Sequence, residues 1–287
     1  MIVNKNNRRQ LVVCNILGLV IAGIAFTGIF FRGESKSVEV TSVRGENYTM
    51  IKDGIYQFNS QRMVAEGVGW DIFTLFIALP IFFILMPFLY RNSLRAKLLA
   101  VGLLVYFFYQ YLMYALAWAF GLLFPAYIFI YAVSLFVAVC IVSGIDQKEL
   151  TKRIETDFPR KGVVTLCVMV ALMLVFMWTQ RIIGGLQGDL ETGMLLGQTT
   201  MVVQALDLGL IVPLALVTAY LAWKKYPWGY LLSPVLMVKA VAMAGAICAM
   251  LISAWIVEEK SQLLNLLIFG AVFIASGYLG YRMLRGA

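Results

Sequence analysis

Eight times between Leu11 and Leu284 the chain runs through roughly 20 residues with hardly a charge among them. A hydrocarbon core about 30 Å thick is crossed by about 20 helical residues rising 1.5 Å each. The runs are Leu11–Phe31, Trp70–Tyr90, Leu98–Trp118, Pro125–Ser143, Val163–Gln180, Met201–Trp223, Tyr230–Val257 and Leu263–Leu284. The whole chain of 287 residues is 62% hydrophobic and 13% charged, against about 45–50% and about 25% for soluble domains. The expectation is one membrane domain, an all-α integral membrane protein of eight transmembrane helices whose first partner is the lipid bilayer. The first run is longer than the roughly 7–15 apolar residues of a signal core, and "AFTGIFFRGE" offers no small-x-small cleavage site, so a retained helix is expected.

Basic residues set the direction. With the N-terminus in the cytoplasm, the inner segments hold Lys5, Arg8 and Arg9, then Arg91, Arg95 and Lys97, then Lys148, Lys152, Arg153, Arg160 and Lys161. Lys224, Lys225, Arg282 and Arg285 fall on the same side. That is most of the 23 Lys and Arg, so both termini are expected to be cytoplasmic. The net charge of +8 then belongs to inner loops, and no nucleic-acid partner is expected.

Several chemistries are excluded. The chain has no histidine, which removes His-ligated metals and His-based acid–base catalysis. Cys14, Cys140, Cys167 and Cys248 all lie in apolar runs with no C-x-x-C pair, so they read as small buried hydrophobes. No H-E-x-x-H, Ser-His pair or phosphate-cradling loop is present; "RIIGGLQGD" is a loop with glycines. No cofactor, metal or catalytic residue is expected.

The first outer loop, Arg32–Gly69, is long enough for structure of its own. In "YTMIKDGIYQF" the pair Asp53-Gly54 separates two short runs rich in Tyr, Ile and Phe, which predicts an extracytoplasmic β-hairpin with a type I′ turn. Asn47-Tyr48-Thr49 matches a glycosylation triplet, without other signs of a eukaryotic secretory route. In "IDQKELTKRIETDFPRK" the apolar Leu150, Ile154 and Phe158 recur every four residues, which suits a short helix on the membrane surface or a solvated linker.

Aligning Pro80 with Pro213, an offset of 133 positions, lays "DIFTLFIALPIFFILMPFLYRNSLRAKLLAVGLLVYFFYQ" over "LDLGLIVPLALVTAYLAWKKYPWGYLLSPVLMVKAVAMAG". Arg91 then meets Lys224, Tyr106 meets Lys239 and Asp71 meets Gln204. This predicts two four-helix units of the same orientation, a parallel 4+4 duplication about an axis along the membrane normal. The alternative is two out-to-in helix pairs that merely share a basic turn.

Lys239 sits inside "SPVLMVKAVAMAGAICAM", where a charge costs about 2.5–3.5 kcal/mol on insertion scales. Asp207 in "QALDLGLIVP" is read as the only acid well inside a span, with Asp71 at the membrane edge. Register about the turn "KKYPWG" separates Lys239 and Asp207 by about 10 Å, or about 5 Å counted from the membrane edges. A direct or water-bridged pair is within reach of a lysine stem. The small residues after Lys239 (Ala240, Ala242, Ala244, Gly245, Ala246 and Ala249) favour close helix contact over lipid exposure. Gln204, Asp71, Gln110 and Tyr106 complete the candidate intramembrane polar site with Asp207 and Lys239. Tyr109, Tyr111, Tyr114, Tyr127 and Tyr131 fit either an aromatic interface belt or the wall of an outward-facing polar pocket. The Lys–Asp pair fits either a structural tie or a proton, ion or ligand site.

At "WDIF…LP", "QALDLGLIVP", "KKYPWGYLLSPVLMVKA" and "YQYLMYALAWAFGLLFPAYIFIYAVSLF" the chain resembles a group of bacterial multispanning membrane proteins with no assigned activity. The likeness is one of overall pattern from Trp70 onward, and the chain departs from it at Pro125, where an Asn is frequent in the group. The resemblance implies a bacterial cytoplasmic membrane and a similar helix layout, and no activity. The leading functional expectation is a non-catalytic membrane component: a sensor, an assembly factor, or a partner of another membrane protein or of a second copy. A small-solute, ion- or proton-coupled carrier using Asp207 and Lys239 is the alternative, and an intramembrane lipid-modifying enzyme comes third.

Overall fold

The computed structural model describes residues 5–33, 36–189, 193 and 195–286. Among the described residues, eight helices are long and apolar enough to cross a membrane. The first is α1 (Lys5–Phe30). The second begins at α2 (Gln61–Phe73), passes through a π turn at Thr74–Ala78, and continues as α3 (Leu79–Tyr90). Then come α4 (Leu94–Ala117), α5 (Phe124–Ser143), the short α6 (Gln147–Ile154) and α7 (Arg160–Leu186). The sixth span repeats the broken form: α8 (Val202–Leu206), a π turn at Asp207–Ile211, and α9 (Val212–Trp223). Finally α10 (Pro227–Glu258) and α11 (Leu263–Gly286) close the bundle. The central helices are α4 and α10, while α7 and α11 lie at the periphery.

The second span starts at Gln61 and not at Trp70, because Ser60 caps it by accepting from the Met63 amide. Prolines explain both π turns. A proline inside a helix lacks the amide hydrogen and crowds the carbonyl four residues back, and a widened turn accommodates both defects. Before Pro80, the Leu79 amide reaches the Thr74 carbonyl, five residues back. Before Pro213, the Val212 amide likewise reaches the Asp207 carbonyl. The correspondence at an offset of 133 then continues. Buried Ala78, Leu79, Phe82, Leu85, Met86 and Leu89 recur as Ile211, Val212, Ala215, Thr218, Ala219 and Ala222. Asn92 and Lys225 both turn at φ 60°, and α4 and α10 then begin at Leu94 and Pro227.

The loop between the first two spans does form a hairpin, with its turn elsewhere than expected. Strand β1 (Ser37–Thr41) pairs antiparallel with β2 (Asn47–Ile51), Ser37 opposite Ile51 and Thr41 opposite Asn47. Asp53-Gly54 lies beyond the second strand, against Gly33. The run after it cannot be a strand because Tyr56 is drawn into the bundle and buried at 1% exposure, while the Ile55 amide bonds the Phe31 carbonyl. At the opposite end, α6 exists but does not present its apolar side to lipid. Leu150 and Ile154 are buried against α10 and α11, and Asp146 caps the helix by accepting from the Lys148 and Glu149 amides. The basic segments meet at this end: Arg95 donates to the Arg285 carbonyl (2.7 Å), Lys97 to that of Gly144 (3.1 Å), and Arg160 to that of Ala222 (3.0 Å).

Small residues let α2 and α10 approach to backbone contact. A Cβ on Gly69 would lie 2.4 Å from the Ala249 carbonyl oxygen, and one on Gly245 would lie 2.5 Å from the Phe73 ring. Such contact replaces the hydrophobic drive that lipid cannot supply between helices.

Candidate functional site

The π turn at Asp207–Ile211 places a carboxylate at the junction of three helices. Tyr109 of α4 donates its hydroxyl to Asp207 Oδ1 at 2.5 Å, and Trp178 of α7 donates Nε1 to Oδ2 at 2.8 Å. Both carboxylate oxygens are thus held by neutral donors. Lys239 of α10 is 5% exposed, and its Nζ stands 4.6 Å from the centroid of the Tyr109 ring. Among the described residues no ion pair or hydrogen-bond acceptor engages that ammonium. Tyr109 therefore stands between the two charges, its face toward the cation and its hydroxyl on the acid. Among the described residues, Lys239 and Asp207 form no direct ion pair.

Lys239 and Asp207 line a cavity of about 470 Å³ enclosed by α2, α4, α7, the broken sixth span, α10 and α11. Gln204, buried at 6% exposure, lines it as well. Its wall is mostly apolar, and seven of the chain's 14 methionines lie on it, among them Met113, Met173, Met177, Met243 and Met250. Toward the end where α2 starts, the lining becomes polar, with Arg62, Glu66, Arg181 and Gln262. Arg62 is tied there to Glu66 (3.1 Å) and to Glu258 of α10 (2.9 Å).

No family model matches the chain, and neither does any curated protein or solved structure. Its function is therefore argued from this geometry.

Three of the six residues singled out from sequence do not reach the cavity. Asp71, Tyr106 and Gln110 are wholly buried in a second polar cluster, between α2 and α4. Asp71 accepts from Tyr56 (2.5 Å) and Tyr114 (3.2 Å). Thr74, which opens the first π turn, bonds the Tyr106 hydroxyl (2.7 Å) and donates to Gln110 Oε1 (2.8 Å). Asp71 lies well inside a helix that begins at Gln61 and is 0% exposed. Burial, with the Asp71 carboxyl alongside, pushes the Tyr56 phenol well above its ordinary value, which keeps it a proton donor. Tyr111, Tyr114 and Tyr127 pack ring against ring, with centroids 5.4–6.0 Å apart. They fill the first half of the bundle, so they form neither a belt in lipid nor the wall of an open pocket.

Tyr56, Trp178 and the Arg62–Glu66–Glu258 cluster were not legible as site residues. Arg62 and Glu66 carried one usable signal, opposite charges four apart, in a segment read as loop. Nothing in the sequence joins Tyr56 to Asp71 or Trp178 to Asp207.

Proposed function

We propose that this protein takes up a small solute within the membrane and works as a carrier, with the cavity beside Lys239 and Asp207 as its binding site. The observation that carries this reading is the cavity itself. A volume of about 470 Å³ falls in the range of small-molecule sites, about 300–1,000 Å³, and its few polar groups on apolar walls have the composition such sites share. An ionisable residue inside a membrane span marks a functional site by default, and Lys239 and Asp207 both face this space. The recurrence of the π turn, of the buried positions and of the φ 60° turn at one offset supports a parallel 4+4 duplication. In that duplication the open space lies between the halves, walled by α2 and α4 of the first and by α7, the sixth span, α10 and α11 of the second. The gathering of basic residues at the end bearing α6 supports cytoplasmic termini; a bacterial cytoplasmic membrane rests on the pattern resemblance from Trp70 onward.

The test is uptake by proteoliposomes. Solute- or pH-driven uptake, lost in Asp207→Asn with the melting transition intact, supports a carrier; silence across a broad solute panel refutes it. The second reading, a non-catalytic component such as a sensor, an assembly factor, or a partner of another membrane protein or of a second copy, is favoured by the basic face of α6. There Lys148, Lys152 and Arg153 lie beside the packed Leu150 and Ile154.

A further inference from the structure

The chemistry of the cavity narrows what it can hold. Asp207 and Lys239 are both on its wall, yet they are not equivalent as ligand groups. The carboxylate already has a donor on each oxygen, from Tyr109 and Trp178. The ammonium has three N–H donors and, among the described residues, no hydrogen-bond acceptor: it faces the Tyr109 ring, with the Asp207 charge nearby. The site is thus short of a hydrogen-bond acceptor for the ammonium, not of a donor. A buried ammonium without a hydrogen-bonded counter-charge is expensive to maintain in a protein interior, and an anion placed against it would supply the missing acceptor.

The rest of the wall sets the body of the ligand. Methionine side chains are unbranched and polarisable and fit apolar shapes of varied outline. Half of those in the chain line this one space. At the far end Arg62 is tied to both Glu66 and Glu258, and Arg181 lies on the same rim beside Glu66.

Resting on the reading of this cavity as a ligand site, we propose that its ligand is an anionic amphiphile. A single carboxylate or phosphate head sits against Lys239, and one apolar chain or ring system lies along the methionine wall.

The test uses a 16-carbon fatty acid bearing a diazirine in its chain, with the alcohol and the amine of the same length, in nanodiscs of phosphatidylcholine. After irradiation, adducts are mapped by mass spectrometry to the cavity-lining positions of the α7 segment, Val170, Met173, Leu174 and Met177, and not to its outward face at Met169, Leu172 and Phe176. The acid is expected to label the cavity-lining positions about tenfold more than the alcohol, with the amine no better than the alcohol. Lys239→Met should bring the acid down to the alcohol's level, Lys239→Arg should restore it, and Val170→Trp, which fills the space, should lower all probes. Each variant is checked for a cooperative melting transition that shows it folded, and the comparison of three probes on the wild-type protein needs no variant at all. Displacement by added phosphatidylglycerol would identify a bilayer lipid as the source of the head, and displacement only by palmitate a free acid; either supports the proposal. Equal labelling by all three probes overturns the anion assignment and leaves the cavity a ligand site. No labelling of the cavity-lining positions by any probe overturns both.

Discussion

Replacing Tyr109 with Phe separates two jobs that one side chain performs. The ring that lies 4.6 Å from Lys239 Nζ is kept, and the hydroxyl that donates to Asp207 Oδ1 is lost. Hydrogen bonds to charged groups contribute about 1.5–3 kcal/mol in proteins generally, but measured values between membrane helices average about 0.6 and reach about 1.7 kcal/mol. Because the acceptor is a carboxylate and Tyr109 is 5% exposed, a loss near the upper membrane value, about 1.5 kcal/mol, is expected. Tyr109→Leu removes the ring as well, which forfeits a desolvated cation–π contact of about 2 kcal/mol, for a total of about 3–4 kcal/mol. The coupling pattern discriminates more sharply than the totals. In double-mutant cycles, Tyr109→Leu should couple to Lys239→Met by about 2 kcal/mol, whereas Tyr109→Phe should add to it independently. Conversely Tyr109→Phe should couple to Asp207→Asn by about 1 kcal/mol. Reversible unfolding in mixed micelles of denaturing detergent, followed by tryptophan fluorescence, gives each energy. If Tyr109→Phe couples to Lys239→Met as strongly as Tyr109→Leu does, or is indifferent to Asp207→Asn, the ring-and-hydroxyl bridge is the wrong description of the site.

Gly69→Ala should destabilise the bundle by several kcal/mol, because its Cβ would lie 2.4 Å from the Ala249 carbonyl; Gly23→Ala, with nothing within 4 Å, should leave the melting temperature unchanged or slightly raised. Gly28→Ala would press on Asp71 Oδ2 and the Tyr56 hydroxyl, 2.1 and 2.2 Å from the new Cβ, at a cost of about 1–3 kcal/mol. Faster proteolysis of the loop between Lys36 and Asn59 is expected, partly reversed by adding Tyr56→Phe. Pro213→Ala removes the reason for the second π turn and should draw it toward regular helix, so that Asp207 leaves Trp178; a shifted Trp178 emission with the protein still folded is the expected readout.

The spans were legible because lipid leaves so few ways to satisfy a backbone: a long apolar run must be a helix. Their ends were less so. Ser60 caps a helix whose first turns, with Arg62 and Glu66, carry charges, and hydropathy stops where those charges begin. The hairpin was legible as a hairpin, but its turn was not, because the pull of Asp71 on Tyr56 is a contact made fifteen residues away and outside any local rule. The prolines at 80 and 213 were visible, and the widened turns they produce were not, since a sequence shows where an amide hydrogen is missing but not how the helix relaxes around the gap. Lys239 and Asp207 stood out by cost alone. That a tyrosine on a third helix would stand between them depends on how α4 packs against α10, and periodicity does not encode it.

The widened turn at Asp207–Ile211 also makes one span behave as two surfaces. The bond from the Val212 amide spans five residues where a regular helical bond spans four, so this one extra residue rotates everything after it by about 100° against the course set before it. The upper piece is thereby free to look into the open space while the lower lies flat on α7. A scan of lipid-facing substitutions along this span should therefore show its phase jump at that point, and a helical wheel drawn through the whole span would sort tolerant and intolerant positions wrongly on one side of it.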